Sequence, residues 1–435
     1  MRVLTRIDVD GLLNQFDHRV EFPVDQEFVI LHGPNGVGKT RLLELVRDIL
    51  AGRPPDRRTP FHRLRLSFSD HAWLEVKRPA GKTTWRVSAQ PDRELFTSTD
   101  DQRALEMAAR DLMEQGLIRR LPRPGLDGPR FRDAESGDQL TAQEAVDRYL
   151  GDIDPRKLPV PKDVLEFVRG MDPALIEVNR LRSIQEAHPE RYTTGMREPT
   201  AAVEAADYYA RDLARRITVA RSKHAVDAQK LDASYPGRLL QGGSRSVSHM
   251  EVANLQTAVQ ELSRRLERAA LLEPDTSLTA INVHTDTEPW KLSALSLHYL
   301  DSLEKLKQLR PLADRILLFH ELVSGKLAGK QFSISADQGY LVETANGPLR
   351  PSDLSSGEQH EIVMTYRLIF DSQPQQLVMI DEPEVSLHVK WQRKFLDDLR
   401  RIAGVDGLRF IVATHSPQIV GGWTDRMVAI GGDVR

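Results

Sequence analysis

The segment Gly33-Pro34-Asn35-Gly36-Val37-Gly38-Lys39-Thr40 constrains this chain more than any other. Before it stands the apolar run Phe28-Val29-Ile30-Leu31; behind it Leu42, Leu43, Val46, Ile49 and Leu50 recur at helical spacing. The pattern predicts a buried strand, a glycine loop and an amphipathic helix. Such a loop curls until successive backbone N–H groups point inward, and the helix adds its positive end, so the segment is a cradle for phosphate. At this spacing Lys39 reaches the β- and γ-phosphates of a nucleotide and the Thr40 hydroxyl ligates magnesium. Arg41 opens the helix and completes the nucleotide-binding stretch, Gly33 to Arg41.

A second set of residues lies near the other end. The apolar run Leu377 to Ile380 predicts a central strand that delivers Asp381 and Glu382 at its C-terminal edge, before Pro383. There Asp381 can hold magnesium through its water shell, and Glu382 can orient and deprotonate an attacking water. Leu354-Ser355-Ser356-Gly357-Glu358 precedes a helix over 356–370, and the strand Phe410 to Ala413 leads into Thr414-His415-Ser416.

In this order the segments resemble the ATP-binding-cassette (ABC) ATPases, in the branch of SMC-like, RecF-like and OLD-type proteins. By that resemblance residues 354–358 are the signature motif. Ser355 and the Gly357 backbone would touch the γ-phosphate held by another protomer, and the motif's Ser356 stands where the family more often has glycine. The stretch Glu384 to His388 is similar to the D-loop, with Ser386 and His388 at a dimer seam, and His415 matches the switch histidine. The family's coupling glutamine has its nearest match at Asn179, with Gln185 as the alternative. The implied fold is α/β: an ABC-type ATPase head, with a mixed sheet, the phosphate loop and an antiparallel β lobe. A large helical insertion carrying a short coiled-coil-like arm would interrupt it. The expected domains are 1–95 and 331–435 for the head, with the insertion at 96–330 and its antiparallel arm at about 201–325.

The arm rests on two rhythms of three and four residues. One is Val203, Ala206, Ala210, Leu213, Ile217 and Ala220; the other is Val252, Leu255, Val259, Leu262, Leu266 and Ala269. Pro236-Gly237 and Gly242-Gly243 are expected to break the chain between them, and Pro122 to Pro129 to form a loop. The heptad face at Leu255, Val259 and Leu262 is expected to stay partly open to a partner.

Composition removes several alternatives. The 435 residues contain no cysteine, which excludes disulfides, thiolate metal sites and cysteine nucleophiles. The net charge of −3 gives no general attraction to nucleic acid. No apolar run approaches the roughly 20 residues of a membrane span, so no membrane partner and a cytoplasmic location are expected. The cofactors expected are ATP and Mg2+, with a homodimer closed around the ATP. OLD-type nucleases continue into a metal-binding domain beyond the switch histidine, whereas this chain closes soon after His415. The resemblance therefore implies a stand-alone ATPase subunit, as in Septu- or PARIS-type anti-phage systems, restraining a separate effector such as a nuclease and sensing a phage component. A RecF-like ATPase clamping double-stranded DNA is the alternative, with Arg211, Arg215 and Arg216 or Arg264, Arg265 and Arg268 as its basic clusters.

Overall fold

Alternating apolar and polar residues build the first sheet. In the strand Arg63–Phe68 every second side chain, Leu64, Leu66 and Phe68, is buried, as a half-covered antiparallel sheet requires. The computed structural model describes residues 2–56, 58–78, 83–96, 102–122, 129–135, 137–149, 160–177, 203–241, 247–273, 287–385 and 387–431. The chain forms two units. One is Met1–Val178 with Gln373–Val385 and Gln392–Arg435; the other is Asn179–Ser372 with Ser386–Trp391.

The first unit begins with β1 (Leu4–Leu12), β2 (Phe16–Glu21) and β3 (Phe28–His32), then helix α1 (Lys39–Leu50). Next come β4 (Arg63–Phe68), β5 (Trp73–Lys77), β6 (Thr84–Val87) and β7 (Gln90–Phe96). All but β3 form a six-stranded antiparallel sheet in the order β2-β1-β4-β5-β6-β7. Residues 102–149 add α2 (Gln102–Glu114), a small sheet of β8 (Ile118–Arg120), β9 (Arg130–Asp133) and β10 (Gln139–Thr141), and α3 (Ala142–Arg148). These strands escaped the sequence reading because three or four residues show no periodicity. The expected loop falls mostly on 123–128, outside the described residues.

Helix α4 (Lys162–Val168) and β11 (Ala174–Glu177) follow. β11 is the edge of a second, wholly parallel sheet. Its other members are β3 and, from the far end of the chain, β15 (Leu377–Asp381), β16 (Arg409–Thr414) and β17 (Met427–Ala429). The order is β11-β15-β16-β3-β17. Helix α1 joins both sheets in one core: Leu42, Leu43, Val46 and Ile49 are completely buried, each contributing about 1.5–3 kcal/mol. At the N-terminal edge of the parallel strands, Arg409 ties the layers together. Its guanidinium donates to the carbonyls of Leu4, Phe22, Pro23 and Gln26, and burial pulls its pKa down to about 10.

The second unit holds α5 (Val203–Gln241), α6 (His249–Arg268), α7 (Pro289–Lys307) and α8 (Arg310–Ser324). Three antiparallel strands follow, β12 (Gln331–Ser335), β13 (Gly339–Thr344) and β14 (Gly347–Leu349), and then α9 (Ser356–Tyr366). The expected break at Pro236-Gly237 is absent, since α5 runs through Pro236 to Gln241. Proline removes the N–H that would reach the Asp232 carbonyl, and in the same turn Ser234 Oγ and Arg238 Nη2 both donate to the neighbouring Leu231 carbonyl. Gly242 and Gly243 lie outside the described residues. The heptad face of α6 is closed at Val259 and stays half-open at Leu255 and Leu262. Val252, Val259 and Leu266 are completely buried, with α7 packed along the helix. At Gly339, φ is +78°, and a Cβ there would meet the Ala210 carbonyl of α5 at 1.9 Å. Only glycine lets that hairpin touch the arm.

Where α5 meets α9, a buried network replaces hydrocarbon. Tyr366 and Arg216 both donate to Asp212 Oδ2, at 2.7 and 2.6 Å. Arg216 also reaches Asp371 in the π-helical turn Arg367–Asp371 that ends α9. Burial pushes the Asp212 carboxyl up, but Arg215, Tyr366 and Arg216 outweigh it and hold the pKa at about 2. A carboxylate depressed from 3.8 stabilises the fold above pH 4 and loses that contribution as the pH falls towards 2, by about 2 kcal/mol in all. Urea melts from pH 5 to 2 should show this acid limb, and Asp212→Asn should flatten it while lowering stability at pH 7 by about 3 kcal/mol. An unchanged limb in that variant would assign it to other carboxylates.

Candidate active site

The parallel sheet explains how residues so distant in sequence come together. β16 lies between β3 and β15, with Ala413 opposite both Leu31 and Asp381, and Thr414 opposite His32. Three strand ends thus deliver the glycine loop, the carboxylates and His415 to one C-terminal edge. Crevices at such edges are where open α/β sheets bind their ligands. Among the described residues no helix is long and apolar enough to cross a membrane.

The loop from Gly33 to Gly38 has the form its sequence predicts. Gly36 and Gly38 take φ of +87° and +89°, values that a side chain would strain. Around Gly36 no atom lies within 4 Å of where a Cβ would stand, while at Gly38 a Cβ would press on Leu12 at 2.8 Å. Gly38 also caps α1 without a side-chain bond to the first-turn N–H groups, leaving the helix end suited to an anion. Pro34, Asn35 and Gly36 are exposed and Val37 is buried. Lys39 is 5% exposed and donates to the carbonyls of Gly33 and Pro34, both at 2.9 Å. Arg41 points away and pairs with Glu44 at 2.7 Å.

Thr40 Oγ1 donates to Asp381 Oδ2 at 2.7 Å. A hydroxyl and a carboxylate held edge to edge are hard oxygen donors of the kind magnesium takes. Among the described residues no group of three His, Asp or Glu side chains is arranged for a metal. Thr40 and Asp381 would therefore need phosphate and water oxygens to complete an octahedron, which fits a metal arriving with a triphosphate.

Glu382 stands at φ +48°, a conformation that costs a non-glycine residue about 1–3 kcal/mol. Its N–H holds the turn by donating to the Ala413 carbonyl at 2.9 Å. His415 Nδ1 lies 3.6 Å from Glu382 Oε1 and 3.5 Å from Glu384 Oε1. A carboxylate and an imidazole at the mouth of a phosphate cradle can share the handling of one proton. The structure also adds residues that the motifs did not single out. Glu384 binds the backbone of His415, and Gln392 binds Ser416. His18 Nε2 lies 2.9 Å from the carbonyl of Val37 in the glycine loop. Alternation along β2 marks His18 as an inward residue, and nothing in the sequence tells that it meets the loop.

Within the second unit, Ser355 caps α9. Its Oγ accepts from the Glu358 N–H, and Glu358 in turn accepts from the Ser355 N–H and hydroxyl at 3.0 and 2.7 Å. Burial pushes the Glu358 carboxyl up, but Lys330 and the Ser355 bonds outweigh it and leave it below its usual range. Ser356 and Gly357 open the helix, with Trp391 3.9 Å from where a Gly357 Cβ would stand. Asn179, Gln185 and Ser386 lie outside the described residues.

A protein-family profile described as "AAA domain, putative AbiEii toxin, Type IV TA system" matches residues 28–421. No curated protein matches the chain. Among solved structures, the Smc head domain with an extended coiled coil from Pyrococcus furiosus, bound to the C-terminal domain of ScpA, is 12% identical with a TM-score of 0.33. That match covers 99% of this chain and 93% of the other. The SMC head domain from Thermotoga maritima is 10% identical with a TM-score of 0.36, over 100% and 96% of the two chains. The family match spans the glycine loop, the carboxylate strand and His415 together, and the chain belongs to this AAA-domain family.

Proposed function

We propose that the chain is a magnesium-dependent ATPase whose site is completed by a second copy. The observation that carries this is the hydrogen bond from Thr40 to Asp381, which joins residues 341 positions apart. Lys39 would exchange the Gly33 and Pro34 carbonyls for β- and γ-phosphate oxygens. Glu382 would take the proton of the attacking water, and His415 would contact the γ-phosphate and Glu382 together. Magnesium, when bound by Thr40 and Asp381, would neutralise charge developing on the phosphates. Ser355 and the Gly357 backbone would meet the γ-phosphate of the partner copy, and Asn179 is the proposed coupling residue. Lys39→Ala should weaken ATP binding by about 30-fold or more, because a buried cation aimed at phosphate is removed. Equal binding of labelled ATP by wild type and this variant would overturn the assignment.

We further propose that this ATPase restrains a separate effector, a nuclease, in defence against phage. The support is that the family description names a "putative AbiEii toxin" of a toxin–antitoxin system, which is a system of two components. Clamping of DNA is less well supported, since Arg215 and Arg216 pair with Asp212 and Arg265 pairs with Asp314. The native mass of the complex purified from its own host would test this: a dimer carrying another protein supports it, and a bare dimer that retains duplex DNA sinks it.

A further inference from the structure

Glu384 has no part in the roles assigned above, yet it sits where they converge. It lies in the 3-10 turn Pro383–Val385, two residues past Glu382. Its side chain is only 9% exposed, and its two carboxylate oxygens take donors from the last residue of β16 and the first residue after it. Oε2 accepts the Thr414 hydroxyl at 2.8 Å, and Oε1 accepts the His415 N–H at 3.0 Å. A further chain of bonds runs alongside. Gln392 Nε2 donates to the Glu384 carbonyl at 3.3 Å, and the Ser416 hydroxyl donates to Gln392 Oε1 at 2.9 Å. The turn that carries Glu382 and the loop that carries His415 are thus fastened at consecutive residues, 414, 415 and 416.

Charge-assisted bonds of this kind are roughly twice as strong as neutral ones. They matter here because β16 ends at Thr414, so His415 is the first residue without a sheet partner. Its ring is 39% exposed, and in the first unit Glu384 supplies the bond that fixes its backbone.

We propose that Glu384 is a positioning residue for ATP hydrolysis, holding His415 in register with Glu382 through Thr414 Oγ1 and the His415 N–H. The proposal rests on the hydrolysis reading given above. A carboxylate that merely capped a loop would affect stability, and its loss would add to the loss of His415. A carboxylate that acts through His415 has no further effect once that ring is gone.

The test is a double-mutant cycle on the full-length protein, following kcat beside the Kd for ATP. Glu384→Ala should lower kcat by about 10-fold or more and leave the Kd within about 2-fold. Adding it to His415→Ala should cost less than about 2-fold more, because the two losses share one route. Glu384→Gln can still accept the His415 N–H and donate to Thr414 Oγ1, so it should stay within about 3-fold of wild type. Should Glu384→Ala fail to fold, Thr414→Val removes one of the two bonds at similar volume and should lower kcat by about 3-fold or more at unchanged Kd. Multiplicative losses in the cycle, or an unchanged kcat in folded Glu384→Ala or Thr414→Val, would overturn the proposal while leaving the ATPase intact. A wild type that binds ATP without hydrolysing it would instead overturn the hydrolysis reading, and this proposal with it.

Discussion

Glu382→Gln is expected to slow ATP hydrolysis by about 100- to 10,000-fold, the usual contribution of a positioned general base. The substitution keeps the size of the side chain and removes its ability to accept a proton from water. ATP should bind as before, since Lys39, Thr40 and the glycine loop are untouched. Because the left-handed turn at Glu382 depends on backbone bonds, the variant should fold normally. Trapped with ATP, it should accumulate as a dimer on size-exclusion chromatography with light scattering. Wild-type turnover in this variant would show that the base lies elsewhere.

Mixing two inactive proteins should restore activity. Ser355→Arg places a bulky cation where the proposal needs a small hydroxyl, and Lys39→Ala disables the cradle. Alone, each should hydrolyse ATP at under about 1% of the wild-type rate. In an equal mixture half of the dimers pair one variant with the other. Each such dimer has one site free of both changes, so about a quarter of wild-type activity should return in a two-fold symmetric assembly. The rate should rise with the square of total protein at low concentration. Two folded variants that stay inactive in every mixture would mean that Ser355 serves its own chain, or serves nothing.

The head was legible because its signals are local and chemically narrow. Phe28 to Leu31, the glycine loop and the spacing of Leu42 to Leu50 each admit few structures, and β3 and α1 follow them closely. Asp381 and Glu382 could be read because an apolar run points to them. The arm was legible in kind and wrong in detail. Pro236 signals a break in any local reading, whereas α5 runs on through it to Gln241. On the heptad face of α6, Val259 is covered while Leu255 and Leu262 stay half-buried, a division that the sequence does not tell because it depends on where α7 packs. Glu384 stood in plain view beside Glu382, but a short-range pattern cannot reveal a bond to a residue 31 positions away. Local chemistry can be read from sequence, while pairing across the fold cannot.

The order of the parallel sheet bears on how the protein is made. Strand β3 emerges early in synthesis, but both of its neighbours, β16 and β17, come from residues 409–429. Until those residues leave the ribosome, Phe28–His32 has no ladder to join and the glycine loop no rigid base. Pairings this remote in sequence form slowly. A nascent chain should therefore remain unable to hold nucleotide through nearly all of its translation, and gain that ability in one late step. A chain released early, even just short of β16, should be exposed at β3 and sought by chaperones rather than half active. On the proposed function, the ability to bind ATP would therefore mark a chain whose translation had passed residue 429.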